Sequence, residues 1–196
     1  SLLLASVLLL LTGMTGAYSQ DNALASDSGV NQLTIYVIPS KVKYDWSSPR
    51  SLYKSFVKNY KRNLFSKNSY LLGHAFIELK SPKLEEDILT GMRSASRSEQ
   101  KDMLLKGHYG LAVLGADMAG RLEQKPDLEK QITKYSRKGR LGFMNFLVSD
   151  AAMDRMIRFF RSYKSYFNGN GAEGARYGGA FWPRYEGEGA GCSAFA

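Results

Sequence analysis

Short apolar runs separated by polar turns fill the chain from residue 31 onward, and their period switches between two and 3.6 residues. Residues 33–38, LTIYVI, are β-branched and aromatic and stop at Pro39, which predicts a first strand. Ser48 and Pro49 supply a helix cap and a first-turn proline. Leu52, Phe56 and Tyr60 then recur at helical spacing and predict a helix to about Asn63. Residues 69–79 alternate and predict a second strand ended by Pro82, whereas residues 84–92 fit neither period. A short helix is expected over 98–106, capped by Ser98 and stopped by Gly107. The run HYGLAVL at 108–114 predicts a third strand that turns through Gly115 to Asp117 into a fourth near 120–123. Pro126 and Asp127 open a helix ending before Gly139, and residues 140–148 form a further strand. Ser149 and Asp150 cap a helix whose stripe of Met153, Met156, Ile157, Phe160 and Tyr163 is a core face, and residues 168–175 read as a glycine-rich loop. Strands and helices without regular βαβ alternation predict an α+β fold, a small antiparallel sheet packed against helices.

Composition adds a compartment and a class of surface. At 196 residues, with 44% hydrophobic and 23% charged, the chain suits one folded domain, placed at 31–196. Residues 1–11 are almost wholly apolar, and Ala17-Tyr18-Ser19 puts small residues at the −3 and −1 positions. This is the pattern of a signal peptide over 1–19, clipped at its start and followed by a polar leader at 20–30 expected to be disordered. The apolar run is shorter than the ~20 residues of a membrane span, so export to a periplasm or secretion is expected over anchoring. A lone cysteine cannot form an internal disulfide, so the core must hold the fold. The net charge of +9 implies contact with anionic material. Its densest stretch, Lys41 to Lys67, is amphipathic and carries no nucleic-acid motif. The expected partners are therefore a cell-wall or lipid substrate and peripheral contact with an anionic envelope surface, with no nucleic acid. Neither a phosphate-binding glycine loop nor a metal-spaced cluster is present, so no cofactor and no metal are expected.

The candidate chemistry centres on that cysteine. Cys192 sits in GAGCSAFA, where a glycine-rich loop enters a predicted helix, and unpaired N–H groups at a helix start favour a thiolate. An idle thiol is a liability in an oxidising compartment, so Cys192 is expected to be buried or used. A cysteine nucleophile needs a base, and His74 and His108 are the two imidazoles, each following a glycine. In a strand, His74, Phe76 and Glu78 share one face, so Glu78, or His108 from a neighbouring strand, could orient the His74 ring.

The order of these parts carries a resemblance. A Gly-His-Ala-Phe-Ile strand, a second strand offering a polar residue, a VS-x-A helix and a late glycine-bounded cysteine resemble the circularly permuted NlpC-like branch of the papain-like cysteine hydrolases, which includes relatives of lecithin–retinol acyltransferase. The resemblance spans roughly residues 71–196. It implies a small antiparallel sheet on helices, with Cys192 as nucleophile, His74 as base and His108 as the third polar position; Glu78 and Asp117 are the other candidates for that third role. The helix that follows the nucleophile in the family is absent here, which reads as a sequence shortened at its C-terminal end. The segment 80–107 between the two expected strands is also longer than a hairpin. The implied activity is that of a hydrolase or acyltransferase acting on an amide or ester, in the manner of a thiol protease. The alternative is a non-catalytic exported protein that binds the cell envelope on the same fold.

Overall fold

The computed structural model describes residues 29–62, 70, 73–95, 97–110, 116–170, 176–178 and 191–196. In chain order the elements are β1 (Gln32–Ile38), α1 (Pro49–Arg62), β2 (His74–Lys80), β3 (Ile88–Thr90), β4 (Met92–Ser94), α2 (Arg97–Leu105), β5 (Asp117–Leu122), α3 (Lys125–Ser136), β6 (Gly142–Leu147), α4 (Asp150–Asn170), β7 (Arg176–Gly178) and α5 (Cys192–Phe195). One antiparallel sheet has the order β3-β2-β1-β6 and a second the order β4-β5-β7. The chain passes from one sheet to the other at a single residue, Gly91: Thr90 pairs with Ile77 in the first sheet, and Met92 pairs with Leu122 in the second.

The period-two pattern sorts the first sheet into two buried faces. Leu33, Ile35, Ile77 and Leu79 lie on one face, against Met153, Ile157 and Tyr163 of α4 and Phe195 of α5. On the other, Tyr36, Ile38 and Phe76 pack with Leu89 against Leu128 and Tyr135 of α3. A third cluster joins Leu52, Phe56 and Tyr60 of α1 to Leu104 of α2. The fold is α+β, an antiparallel sheet packed against helices. Two helix starts follow the polar residues expected of them, whereas α2 begins at Arg97, ahead of the expected cap Ser98. Ser48 Oγ accepts from the N–H of Ser51 at 3.1 Å, and Ser149 Oγ accepts from the N–H of Ala152 at 3.3 Å. Among the described residues no helix is long and apolar enough to cross a membrane.

Several expectations are revised. The strand expected at 108–114 does not begin at His108. The N–H groups of Lys106 and Gly107 both donate to Asp102 O at 2.9 Å, and that of Tyr109 donates to Met103 O at 2.9 Å. The turn that closes α2 thus continues past Gly107 and puts His108 at φ 53, in the left-handed region, where no strand can start. Residues 84–92 resolve into the end of the loop plus two very short strands flanking Gly91. Helix α4 runs through residues 168–170, expected as loop. The signal peptide at 1–19, leader residues 20–28, and residues 111–115, 171–175 and 179–190 lie outside the described residues.

Candidate active site

The site is built from the start of β2. Gly73 turns the chain at φ +96, and a Cβ there would lie 3.1 Å from Ile38 O, so conformation and space both require glycine before the strand. His74, the first residue of β2, is 5% exposed. Its ring is stacked by Tyr70, with centroids 3.8 Å apart and planes 11° from parallel, and Phe76 lies 5.7 Å away.

The partner of His74 comes from the second sheet. β5 ends at Leu122, and the next residue continues the ladder, the N–H of Glu123 donating to Gly91 O at 2.8 Å. That bond carries the carboxylate of Glu123 through the seam between the sheets, where Oε2 lies 2.5 Å from His74 Nε2. Space for this meeting is left by Gly91. A Cβ on it would stand 2.8 Å from Phe76 Cβ, 3.1 Å from Glu123 Oε2 and 3.5 Å from His74 Nε2. The other carboxylate oxygen accepts from Tyr70 OH at 2.8 Å and lies 3.7 Å from Arg93 Nη1. Arg93, two residues past Gly91, also sits over the Tyr70 ring at 5.8 Å. A buried carboxylate thus has three partners, as a buried charge requires.

Cys192 completes the arrangement. It opens the single turn α5 after Gly191, which is extended at φ −72 and ψ 166. The turn is seated by Phe195, whose ring lies 5.3 Å from Tyr163 in the core that also holds Ile77 and Met92. Its neighbours are β2 of the first sheet and β4 of the second. Cys192 is half-buried and hydrogen-bonds the His74 side chain.

The electrostatics follow. Burial pushes the His74 imidazole down, but hydrogen bonds to Cys192 and Glu123, and the charges on both, outweigh it and hold the pKa up at about 9. For Glu123, burial works against ionisation; the bonds to His74 and Tyr70 and the nearby Arg93 prevail and hold the carboxyl below its usual range. Burial, with the Glu123 charge next, raises Tyr70, which therefore stays a donor. A protonated imidazole fixed between a carboxylate and a sulfur can keep that sulfur as thiolate and later return a proton to a leaving group.

Of the residues singled out in the sequence, Cys192 and His74 come together. His108 does not join them. Its Nδ1 lies 3.0 Å from Tyr53 OH on α1, with the rings edge to face. Glu78 shares the His74 face, but its carboxylate accepts from Tyr36 OH at 2.8 Å and lies 3.6 Å from Lys80 Nζ. Asp117 stands at the opposite end of β5 from Glu123. The carboxylate beside His74 is that of Glu123, which the sequence does not single out, nor does it single out Tyr70 and Arg93. The available signal was weak: an acid directly after a short strand and shortly before Pro126. Among the described residues no group of three or more His, Cys, Asp and Glu side chains is placed to hold a metal ion. No protein-family model, curated protein or solved structure matches the chain.

Proposed function

We propose that this protein is a cysteine hydrolase or acyltransferase acting on an amide or ester, with Cys192 as nucleophile, His74 as base and acid, and Glu123 as the residue that orients and charges the imidazole. The observation that carries this reading is the His74 ring held between Cys192 and Glu123, with each neighbour raising its pKa. In the proposed reaction the thiolate of Cys192 attacks the carbonyl carbon and forms a C–S bond. The tetrahedral oxyanion then collapses, the C–N or C–O bond breaks, and the imidazolium of His74 gives its proton to the departing amine or alcohol. Neutral His74 next takes a proton from water, or from an acceptor alcohol or amine, as that oxygen or nitrogen attacks the thioester and releases Cys192. Glu123 keeps its negative charge throughout and never receives the proton.

The resemblance to permuted NlpC-like enzymes supports the same assignment for Cys192 and His74, with Glu123 in place of His108. The signal-like pattern at 1–19 supports action outside the cytoplasm, and with the +9 charge it favours a cell-wall peptide or acyl lipid as substrate. The test is intact-mass analysis after incubation with p-nitrophenyl acetate and with peptide and phospholipid panels. One acyl adduct that maps to Cys192, is lost in Cys192→Ala and is slowed in His74→Ala supports the enzyme. If no adduct forms on a folded protein with any panel, the non-catalytic envelope-binding reading replaces it.

A further inference from the structure

The edge strand β6 carries a pattern that the proposed active site does not use. It pairs with β1 on one side and, among the described residues, is the last strand of its sheet. Edge strands are ordinarily blunted by charge, proline or a bulge, yet the residues of β6, GFMNFL, contain no charge and no proline. Four of its side chains are large, apolar and exposed: Phe143 at 58%, Met144 at 43%, Phe146 at 43% and Leu147 at 77%. They occupy both faces, because Met144 and Phe146 stand opposite Ile35 and Leu33, while Phe143 and Leu147 stand opposite Tyr36 and Gln32.

We propose that β6 is a self-complementary interface through which two copies of this chain pair antiparallel, joining their four-stranded sheets with Asn145 on the two-fold axis.

Symmetry selects the register. A two-fold axis perpendicular to a continuous sheet keeps each face on its own side, so opposed residues must share a face and the axis must pass between one residue and its own copy. Centring on Asn145 sets Met144 against the partner's Phe146, Phe143 against the partner's Leu147, and Asn145 against the partner's Asn145. Every exposed apolar side chain meets another and the amide meets its equal. Centring one residue earlier would set Phe143 against the partner's Asn145 and Phe146 against the partner's Gly142, leaving both rings without an apolar counterpart.

Charge selects the direction. Arg137, Lys138 and Arg140 precede β6, and Arg140 is anchored there by donating to Pro39 O at 3.3 Å and Ser40 O at 3.1 Å. Asp150 follows the strand with a side chain 77% exposed, accepting from Asn31 Nδ2 at 2.5 Å and lying 3.9 Å from Lys83 Nζ, and Asp154 beyond it lies 2.8 Å from the same Nζ. Parallel pairing would bring the two basic ends together. Antiparallel pairing instead turns the basic end of one strand towards the partner's acidic end. This inference does not depend on the proposed function, because none of its residues belongs to the Cys192 site.

Sedimentation velocity of the full chain, alone and with anionic phosphatidylglycerol vesicles, tests it. The expected result is a species of twice the chain mass that dissociates on dilution and becomes monomeric in Asn145→Lys, which opposes two like charges at the axis, and in Leu147→Lys. Both positions are exposed in the single chain, and circular dichroism confirms that the variants fold. In a Cys192→Ser background, Asn145→Cys is expected to form a covalent dimer on oxidation, whereas Met144→Cys, facing the partner's Phe146, does not. A protein that is monomeric at all accessible concentrations overturns the proposal, as does a dimer untouched by Asn145→Lys with no Asn145→Cys cross-link. A monomer that co-sediments with the vesicles and loses them in Leu147→Lys overturns it in favour of a lipid surface.

Discussion

Glu123 meets His74 across the one residue at which the chain changes sheets. Its Oε2 lies 2.5 Å from Nε2 of His74, while its backbone N–H donates to Gly91 O at 2.8 Å. Acid and imidazole come from different sheets, and the seam fixes their distance. A local movement of either strand would therefore move one member of the pair relative to the other, and the bond from Glu123 to Gly91 resists it. Tyr70 adds a second restraint, because a single side chain stacks on the ring of His74 and donates to the carboxylate of Glu123.

Reactivity of Cys192 should depend on His74. An unperturbed thiol has a pKa of about 8.5 and is largely protonated at pH 6, whereas a thiol paired with imidazolium ionises earlier. Iodoacetamide should label Cys192 at pH 6 faster than it labels a free cysteine, and His74→Ala should remove that advantage. Turnover should fall by about 10²–10⁴-fold in His74→Ala, the usual share of a general base, and should vanish in Cys192→Ser with the fold retained. Labelling that follows an ordinary thiol titration in both proteins would show that the pair is structural.

His108→Ala should leave labelling and turnover unchanged. Its imidazole lies against Tyr53 on α1, so its removal loosens that contact and a half-exposed surface without reaching the seam. The expected change in stability is about 0.5 kcal/mol or less, as for a surface substitution. A fall in turnover comparable to that of His74→Ala would restore His108 to the site.

This contrast marks how far the sequence could be read. The periodic elements were legible because local signals decide them: LTIYVI before Pro39 became β1, Ser48-Pro49 opened α1, and Ser149-Asp150 opened α4 with Met153, Ile157 and Tyr163 inward. Cys192 and His74 were legible because they are scarce residue types in glycine-marked settings. Glu123 was not, because its burial is made by residues distant in sequence. It lies between exposed Arg121 and exposed Gln124, and only the bond to Gly91 and the bonds from Tyr70 and His74 make it a core residue. His108 misled for the converse reason: an apolar run follows it, but the turn closing α2 fixes its backbone.

Replacing Glu123 with Gln should lower the His74 pKa. Replacing the carboxylate with an amide takes away the charge that helps hold the imidazolium at about 9 and leaves only a neutral, weaker acceptor, while burial, which acts downward, remains. In histidine NMR titrations the His74 midpoint should move down, and the alkaline limb of turnover should move with it, since the leaving group needs the His74 proton. An unchanged midpoint would mean that Cys192 alone sustains the raised value.

Stability should carry the same signature. The folded pKa of His74 lies above its ordinary 6.5, so its contribution is full below 6.5, declines above it and is lost once pH passes about 9. Glu123 is shifted the other way from its ordinary 4.5, so its contribution is full above 4.5 and is lost as pH falls through the lower folded value. The two overlap fully between pH 4.5 and 6.5, where denaturant midpoints should show the largest gap between the wild type and His74→Ala. A gap that is flat from pH 4 to 10 would exclude the ion pair as its source.

Gly91→Ala should damage the seam and the site together. Its Cβ would stand 2.8 Å from Phe76 Cβ, an atom held on the backbone of β2 that no rotamer change can withdraw, and 3.1 Å from Glu123 Oε2. Overpacking of this kind costs about 1–3 kcal/mol, and its relief requires β2 and β5 to separate, which lengthens the contact between His74 and Glu123. The variant should melt lower and also show a lowered His74 pKa and slower labelling of Cys192. Gly139→Ala supplies the comparison. There the backbone is at φ +58 and a Cβ would meet nothing within 4 Å, so the cost is conformational, about 1–2 kcal/mol, with no clash at the seam. It should lower melting alone. If Gly91→Ala likewise lowered melting while the His74 titration stayed in place, the seam would hold the fold without setting the geometry of the pair.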